Sequence, residues 1–157
     1  MTEVNGLRLA YRGFIAGLAG AYAWVAIGMT FSALATGDPL YALRPFALAV
    51  TPVADTPELA FVLGFAAIQI GGAVVGMLFA YFFARFFTVR ATLTIAGPVV
   101  ALLAWGLIAA AFTRDTDGAL LAQHAIPVLA TLGYGLFLAA GVPLRDEVRR
   151  QTGSPST

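Results

Sequence analysis

Few side chains in this 157-residue chain could do chemistry. His124 is the lone histidine and stands beside Gln123 in an apolar run. One imidazole can supply one axial ligand to a haem iron, and bis-histidine ligation would need a second chain. The plainer reading places His124 at the outer interface, bonded to a loop or to water. Gln69 lies near the middle of another apolar run. Its amide should hydrogen-bond to a neighbouring helix. Thr30, Ser32 and Thr131 are smaller hydroxyl groups in similar settings. Together with Gln69 they could line a pore for a neutral solute if several copies assembled. The acidic residues Asp38, Asp55, Glu58, Asp115 and Asp117 all flank apolar runs. There they read as helix caps and solvated charges, with an outer cation site as the alternative. No catalytic set emerges, no metal site, and no glycine loop followed by lysine. Cysteine is absent, which excludes a disulfide framework, a thiolate metal site and an iron–sulfur cluster. The sequence names no reaction, and the expectation is a protein that is not an enzyme and calls for no cofactor.

Four stretches must position these residues. Gly13–Gly37, Leu59–Ala84, Ala91–Thr113 and Gly118–Leu144 contain no Asp, Glu, Lys or Arg. Each exceeds the roughly 20 apolar residues that span a hydrocarbon core. The chain is 60% hydrophobic and 11% charged, with mean hydropathy +0.87, outside the range of soluble domains. The expected fold is all-α: a polytopic membrane protein with four transmembrane helices in a single domain, residues 1–144. A short polar cytoplasmic tail, 145–157, follows. Ion-coupled carriers and pumps place an ionisable group inside the membrane, and these four stretches hold none apart from His124. That argues against a proton-driven carrier. A net charge of +1 with no basic face argues against nucleic acid.

The first helix is expected over Gly6–Thr36, closed by Gly37-Asp38-Pro39. Its apolar run is too long for a cleaved signal peptide. The second starts at Asp55-Thr56-Pro57-Glu58, where Thr56 or Asp55 caps, Pro57 suits the first turn and Glu58 favours the positive dipole end. It is expected to run to about Phe86, roughly 45 Å at 1.5 Å per residue. The third covers Thr88–Phe112. The fourth runs from Asp117 to Gly141-Val142-Pro143. Tight connections at Phe87–Arg90 and Arg114–Asp117 predict that the second, third and fourth helices pack as sequential antiparallel neighbours. The connection Asp38–Pro57 holds prolines 39, 45, 52 and 57 among Leu40, Tyr41, Leu43, Phe46 and Leu48. Such a proline-rich loop is expected at the outer interface, with a docking surface or a lid as alternatives. Arg8, Arg12, Arg85, Arg90, Arg145, Arg149 and Arg150 fall on one side, against Arg44 and Arg114 on the other. The positive-inside rule then puts both termini in the cytoplasm.

Small residues mark the packing faces. Gly13 and Gly17 form a GxxxG, with Gly20 on a nearby face. Gly72, Gly76 and Ala80 continue the pattern in the second helix, Gly97 and Ala101 in the third, and Gly133 and Gly135 in the fourth. In lipid such residues let helix backbones approach closely. Val75-Gly-Met-Leu-Phe-Ala80 is similar to Tyr134-Gly-Leu-Phe-Leu-Ala139, which suggests a parallel two-helix repeat. Phe79, Tyr81, Phe82, Phe83, Phe86 and Phe87, with Tyr11, gather where an inner aromatic belt would lie. Trp24 and Trp105 sit deep in their helices instead, and each indole N–H there needs a partner.

The layout resembles a loose group of small uncharacterised bacterial membrane proteins with four helices. The resemblance rests on a glycine-rich first helix, a proline-bearing loop and the run Gly64-Phe-Ala-Ala-Ile-Gln69-Ile-Gly-Gly-Ala-Val-Val-Gly76. This chain departs from the group in carrying Gln69 where a histidine often stands. The group carries no assigned activity. The function expected from the residues is an auxiliary, non-catalytic subunit of a larger bacterial inner-membrane complex, a respiratory or photosynthetic electron-transfer assembly above all. Its partners would be other integral membrane subunits and membrane lipids. A small homo-oligomeric channel or carrier is the alternative. A third reading is a haem- or quinone-binding anchor that uses His124 and the aromatic cluster.

Overall fold

The computed structural model describes residues 6–51, 56–83, 86–112 and 125–144, apart from the side chains of 109–112. Its elements are α1 (Gly6–Thr36), α2 (Arg44–Val50), α3 (Pro57–Phe82), α4 (Arg90–Phe112) and α5 (Ala125–Gly141). The described residues are all-α. α1, α3 and α4 are long and apolar enough to cross a membrane, and α5 is a shorter apolar helix. The expected start of the last helix at Asp117 and the tail 145–157 lie outside the described residues, as do Gln123 and His124.

Local chemistry sets most boundaries. α1 ends where Gly37 takes φ +76°, a conformation only glycine adopts at little cost. Asp38 accepts the Leu40 N–H and pairs with Arg44 at 3.0 Å, which turns the chain into α2. Thr56 accepts the Leu59 N–H as the N-cap of α3, with proline in the first turn and Glu58 behind it. α3 stops at Phe82, four residues short of its expected end. Its 26 residues still measure about 39 Å. α4 contains Pro98, which has no N–H to offer the carbonyl four residues before it.

α1 is the hub. It packs along both α3 and α5, while α4 packs on α5 and α2 on α3. A Cβ on Gly17 would run into the Gly72 carbonyl, and one on Gly13 into the Gly76 carbonyl. Gly20 instead faces the ring of Tyr134 on α5, where a Cβ would come within 2.7 Å. The two glycine spacings of α1 therefore serve two different neighbours. α4 meets α5 in the same manner, with Gly97 against Gly135 and Ala139. The Arg90 guanidinium donates to the Ala139 and Val142 carbonyls at 3.1 and 2.8 Å, which satisfies the free end of α5.

The expected sequential packing is half wrong. α4 and α5 are neighbours, but α3 and α4 barely touch despite the short connection between them. Close approach in lipid needs small residues facing a partner. The free glycines of these two helices, Gly71 and Gly106, meet nothing within 4 Å. The loop after α1 holds an element the sequence did not specify as a helix. In α2 and its approach, Ala42, Leu43 and Ala47 are buried, and the Leu43 carbonyl sits over Gly64 of α3.

The glycine contacts give a direct test. Gly17→Ala should destabilise the fold by about 1–3 kcal/mol, since the added methyl meets backbone that cannot yield. Gly106→Ala, in open space, should stabilise by roughly 0.5–1 kcal/mol through helix propensity. Unfolding by SDS titration in mixed micelles measures both. Equal effects at the two sites would refute the packing.

Candidate functional site

Because α3 and α4 stand apart, a cavity of about 360 Å³ lies among all five helices. Its wall takes Trp24 from α1, Phe46 from α2, Ile68 and Val75 from α3, Trp105 from α4 and Tyr134 from α5, among others. α3 and α4 both line it yet hardly meet, so it opens sideways between them. Small residues, among them Ala21, Ala67, Gly71, Gly72, Ala101 and Ala104, form much of the rest, together with Val50, Ile108 and Thr131.

Aromatic rings build one end. Trp24 packs edge-on to Phe46 at 5.4 Å between centroids, and Trp105 lies 6.1 Å from Trp24 and 5.9 Å from Phe46. α2 carries Phe46 into this cluster, which is why the apolar loop after α1 matters to the site. Two polar groups of the wall are engaged within the protein. The Trp24 indole N–H donates to Thr131 Oγ1 at 3.1 Å. The Tyr134 hydroxyl donates to the Gly72 carbonyl at 2.7 Å. A water in such a cavity needs two to four polar partners, and bonded pairs leave little for it. The space is shaped for hydrocarbon.

The repeat suggested by the sequence has a structural counterpart. Gly13 of α1 packs against Gly76 and Ala80 of α3, and Gly97 of α4 packs against Gly135 and Ala139 of α5. These are the same positions of the two similar runs. The molecule thus consists of two antiparallel pairs, α1–α3 and α4–α5, built on equivalent contacts. α5 also closes on α1, where the Tyr134 ring covers Gly20 and Gly72. The equivalent seam, α4 with α3, would be filled by Val75 against Ala104 and Thr131. A valine stands where the other half has a tyrosine, and this seam is the open one.

The polar residues singled out by the sequence do not converge. Gln69 is buried on the α3 face that carries Gly72 and Gly76, toward α1. Neither atom of its amide has a hydrogen-bond partner among the described residues, contrary to the expected bond to a neighbouring helix. Ser32 is also fully buried and its hydroxyl is likewise unpartnered. Thr131 is held by Trp24, and Thr30 is exposed, bonded to the Ala26 carbonyl in its own helix. A pore shared between copies would need all four on an outer surface, and three are inside. Phe79 of the expected aromatic belt is core, whereas Tyr11, Tyr81, Phe82, Phe83 and Phe86 are exposed. Among the described residues no group of three His, Asp or Glu could hold a metal ion. Comparison with known proteins finds no matching family model, no matching curated protein and no matching solved structure.

Two substitutions probe this arrangement. Gln69→Leu removes a buried amide that bonds to nothing, so stability should rise, by about 1–3 kcal/mol at most. Tyr134→Phe removes a bond between helices and should cost about 0.6–1.7 kcal/mol. Opposite signs are expected in the same unfolding assay. Destabilisation by Gln69→Leu would mean that the amide has a partner in the membrane.

Proposed function

We propose that this chain is an auxiliary, non-catalytic subunit of a larger bacterial inner-membrane complex. The observation that carries the reading is the position of α4. It rests on α5, barely meets α3, and leaves Ile95, Val99, Leu103 and Leu107 exposed along one side. A helix completed by a neighbour from another subunit accounts for that face, because in lipid helices associate through packing and not through a hydrophobic force. On this reading α1, α3, α4 and α5 cross the bilayer with both termini cytoplasmic, following the arginine distribution. α2 then lies at the outer interface. The aromatic residues after Leu78 lie at the inner one. The partners are integral membrane subunits, and an electron-transfer assembly is the host to look in first.

The chain has no cysteine, so topology can be read from single introduced cysteines. Cysteines at Thr2 and Ser154 should react with an impermeant maleimide only after the cells are opened, and one at Thr51 should react in intact cells. Purification of the tagged chain from its native membrane in mild detergent tests the assembly. Stoichiometric recovery of other membrane subunits is expected. A monodisperse monomer, recovered alone from membranes in which other complexes survive, would overturn the proposal.

A further inference from the structure

We propose that the cavity between the two helix pairs is a binding site for one hydrocarbon chain of a bilayer lipid, admitted through the open α3–α4 seam. Three observations carry it. The first is position. The cavity is bounded by α1, α3, α4 and α5, which read as membrane spans, and is capped by α2; it opens sideways between α3 and α4, so what reaches its mouth is the bilayer interior. The second is wall chemistry. The indole of Trp24 and the hydroxyl of Tyr134 donate within the protein. A ligand that depends on hydrogen bonds would have to compete for these two groups. The third is size. Along α3 the wall runs from Ala67 to Val75, about 12 Å at 1.5 Å per residue.

Volume decides among occupants. A cavity of roughly 150 Å³ takes one benzene. By proportion 360 Å³ has room for about 14 carbon atoms. A partner helix 10–12 Å across would need on the order of 1,000 Å³ over the same length. The occupant is therefore of the width of a chain and not of a helix. The same conclusion follows from the broken symmetry of the two pairs. Where the α1–α5 seam is closed by the ring of Tyr134 over Gly20 and Gly72, the α3–α4 seam has only Val75. The lipid chain stands in for the missing ring. It is recognised by its hydrocarbon, without regard to headgroup.

The two tryptophans of the chain both line the cavity, which makes fluorescence the test. Trp105→Phe leaves Trp24 as the sole emitter, and Trp24 is only 5% exposed. The protein is reconstituted into vesicles of phosphatidylcholine brominated on one acyl chain. Bromine quenches indole on contact, so Trp24 should be quenched despite its burial. Val75→Phe, added to Trp105→Phe, fills the seam and should abolish that quenching. Gly71→Leu, at a position where a Cβ meets nothing within 4 Å, should do the same and guards against misfolding of the first variant. Gly106→Leu, equally unhindered but outside the cavity wall, should leave quenching intact. Trp24 unquenched in brominated vesicles would overturn the proposal. So would quenching that survives both filling variants. Recovery of a stoichiometric ring-bearing chromophore, lost on Val75→Phe, would overturn it in favour of a ring ligand. The α4 face that supports the subunit reading lies on the other side of that helix, so either proposal can fail alone.

Discussion

The constraint on which this molecule depends is backbone against backbone, where α1 crosses α3. Gly13 and Gly17 lie on Gly76 and Gly72 with no room for a methyl group on either side. In water a helix pair is drawn together because its apolar side chains leave the solvent. In lipid that force is absent, and what remains is dispersion between surfaces that fit, together with a few polar bonds. Glycine contributes by removing the side chain that would hold the backbones apart. Everything else is arranged around the resulting axis. α5 closes on the other face of α1 through Gly20, α2 lies against α3 through Gly64, and α4 is reached only by way of α5.

Polar bonds then fix what glycines leave free. A smooth glycine contact permits sliding and rotation, because it has no knobs. The bond from Trp24 to Thr131 sets the register of α1 on α5, and the bond from Tyr134 to the Gly72 carbonyl ties α5 to α3. Each joins helices that are otherwise largely apolar, and each belongs to the wall of the cavity. The groups that orient the bundle are thus the same groups that make its cavity unattractive to water. Arg90 does the corresponding work at the far end by closing the last carbonyls of α5.

Much of this was legible in the residues. Charge-free runs marked the long helices, Gly37 and Thr56 marked their ends, and the small-residue stripes lie at the closest contacts. The similarity of Val75–Ala80 to Tyr134–Ala139 pointed to equivalent helix pairs. What the residues could not convey was which stripe meets which. Gly71 and Gly106 look no different in sequence from Gly72 and Gly97, yet one pair faces open space and the other faces backbone. A short connection between α3 and α4 implied adjacency, but a turn constrains only helix ends. The seam further along is decided by side-chain size at Val75 and Ala104. α2 was hidden for a different reason: seven residues with a proline in the first turn carry too little periodicity to be told from an apolar loop. Trp24 and Trp105 did give a signal, since an indole deep in a helix must be bonded or covered, but only the fold could bring them together over Phe46.

Gln69 is the residue that these rules do not absorb. It sits on the face of α3 that carries the glycine contact, and an apolar side chain of the same shape would suit that place better. A buried amide without a partner costs about 1–3 kcal/mol, which is a sizeable share of the stability of a small domain. Such departures from local consistency tend to mark function or strain. The physical consequence is directional. An unbonded amide in the closed α1–α3 pair stabilises, by difference, any arrangement in which it finds a partner, whether a carbonyl bared by a shift of α1 or a polar group on a neighbouring subunit. Ser32, further along α1 and equally unbonded, acts in the same sense. Both unsatisfied groups belong to the pair that the rest of the molecule depends on. The pair that holds the bundle together is therefore also the one whose polar groups have most to gain from rearrangement.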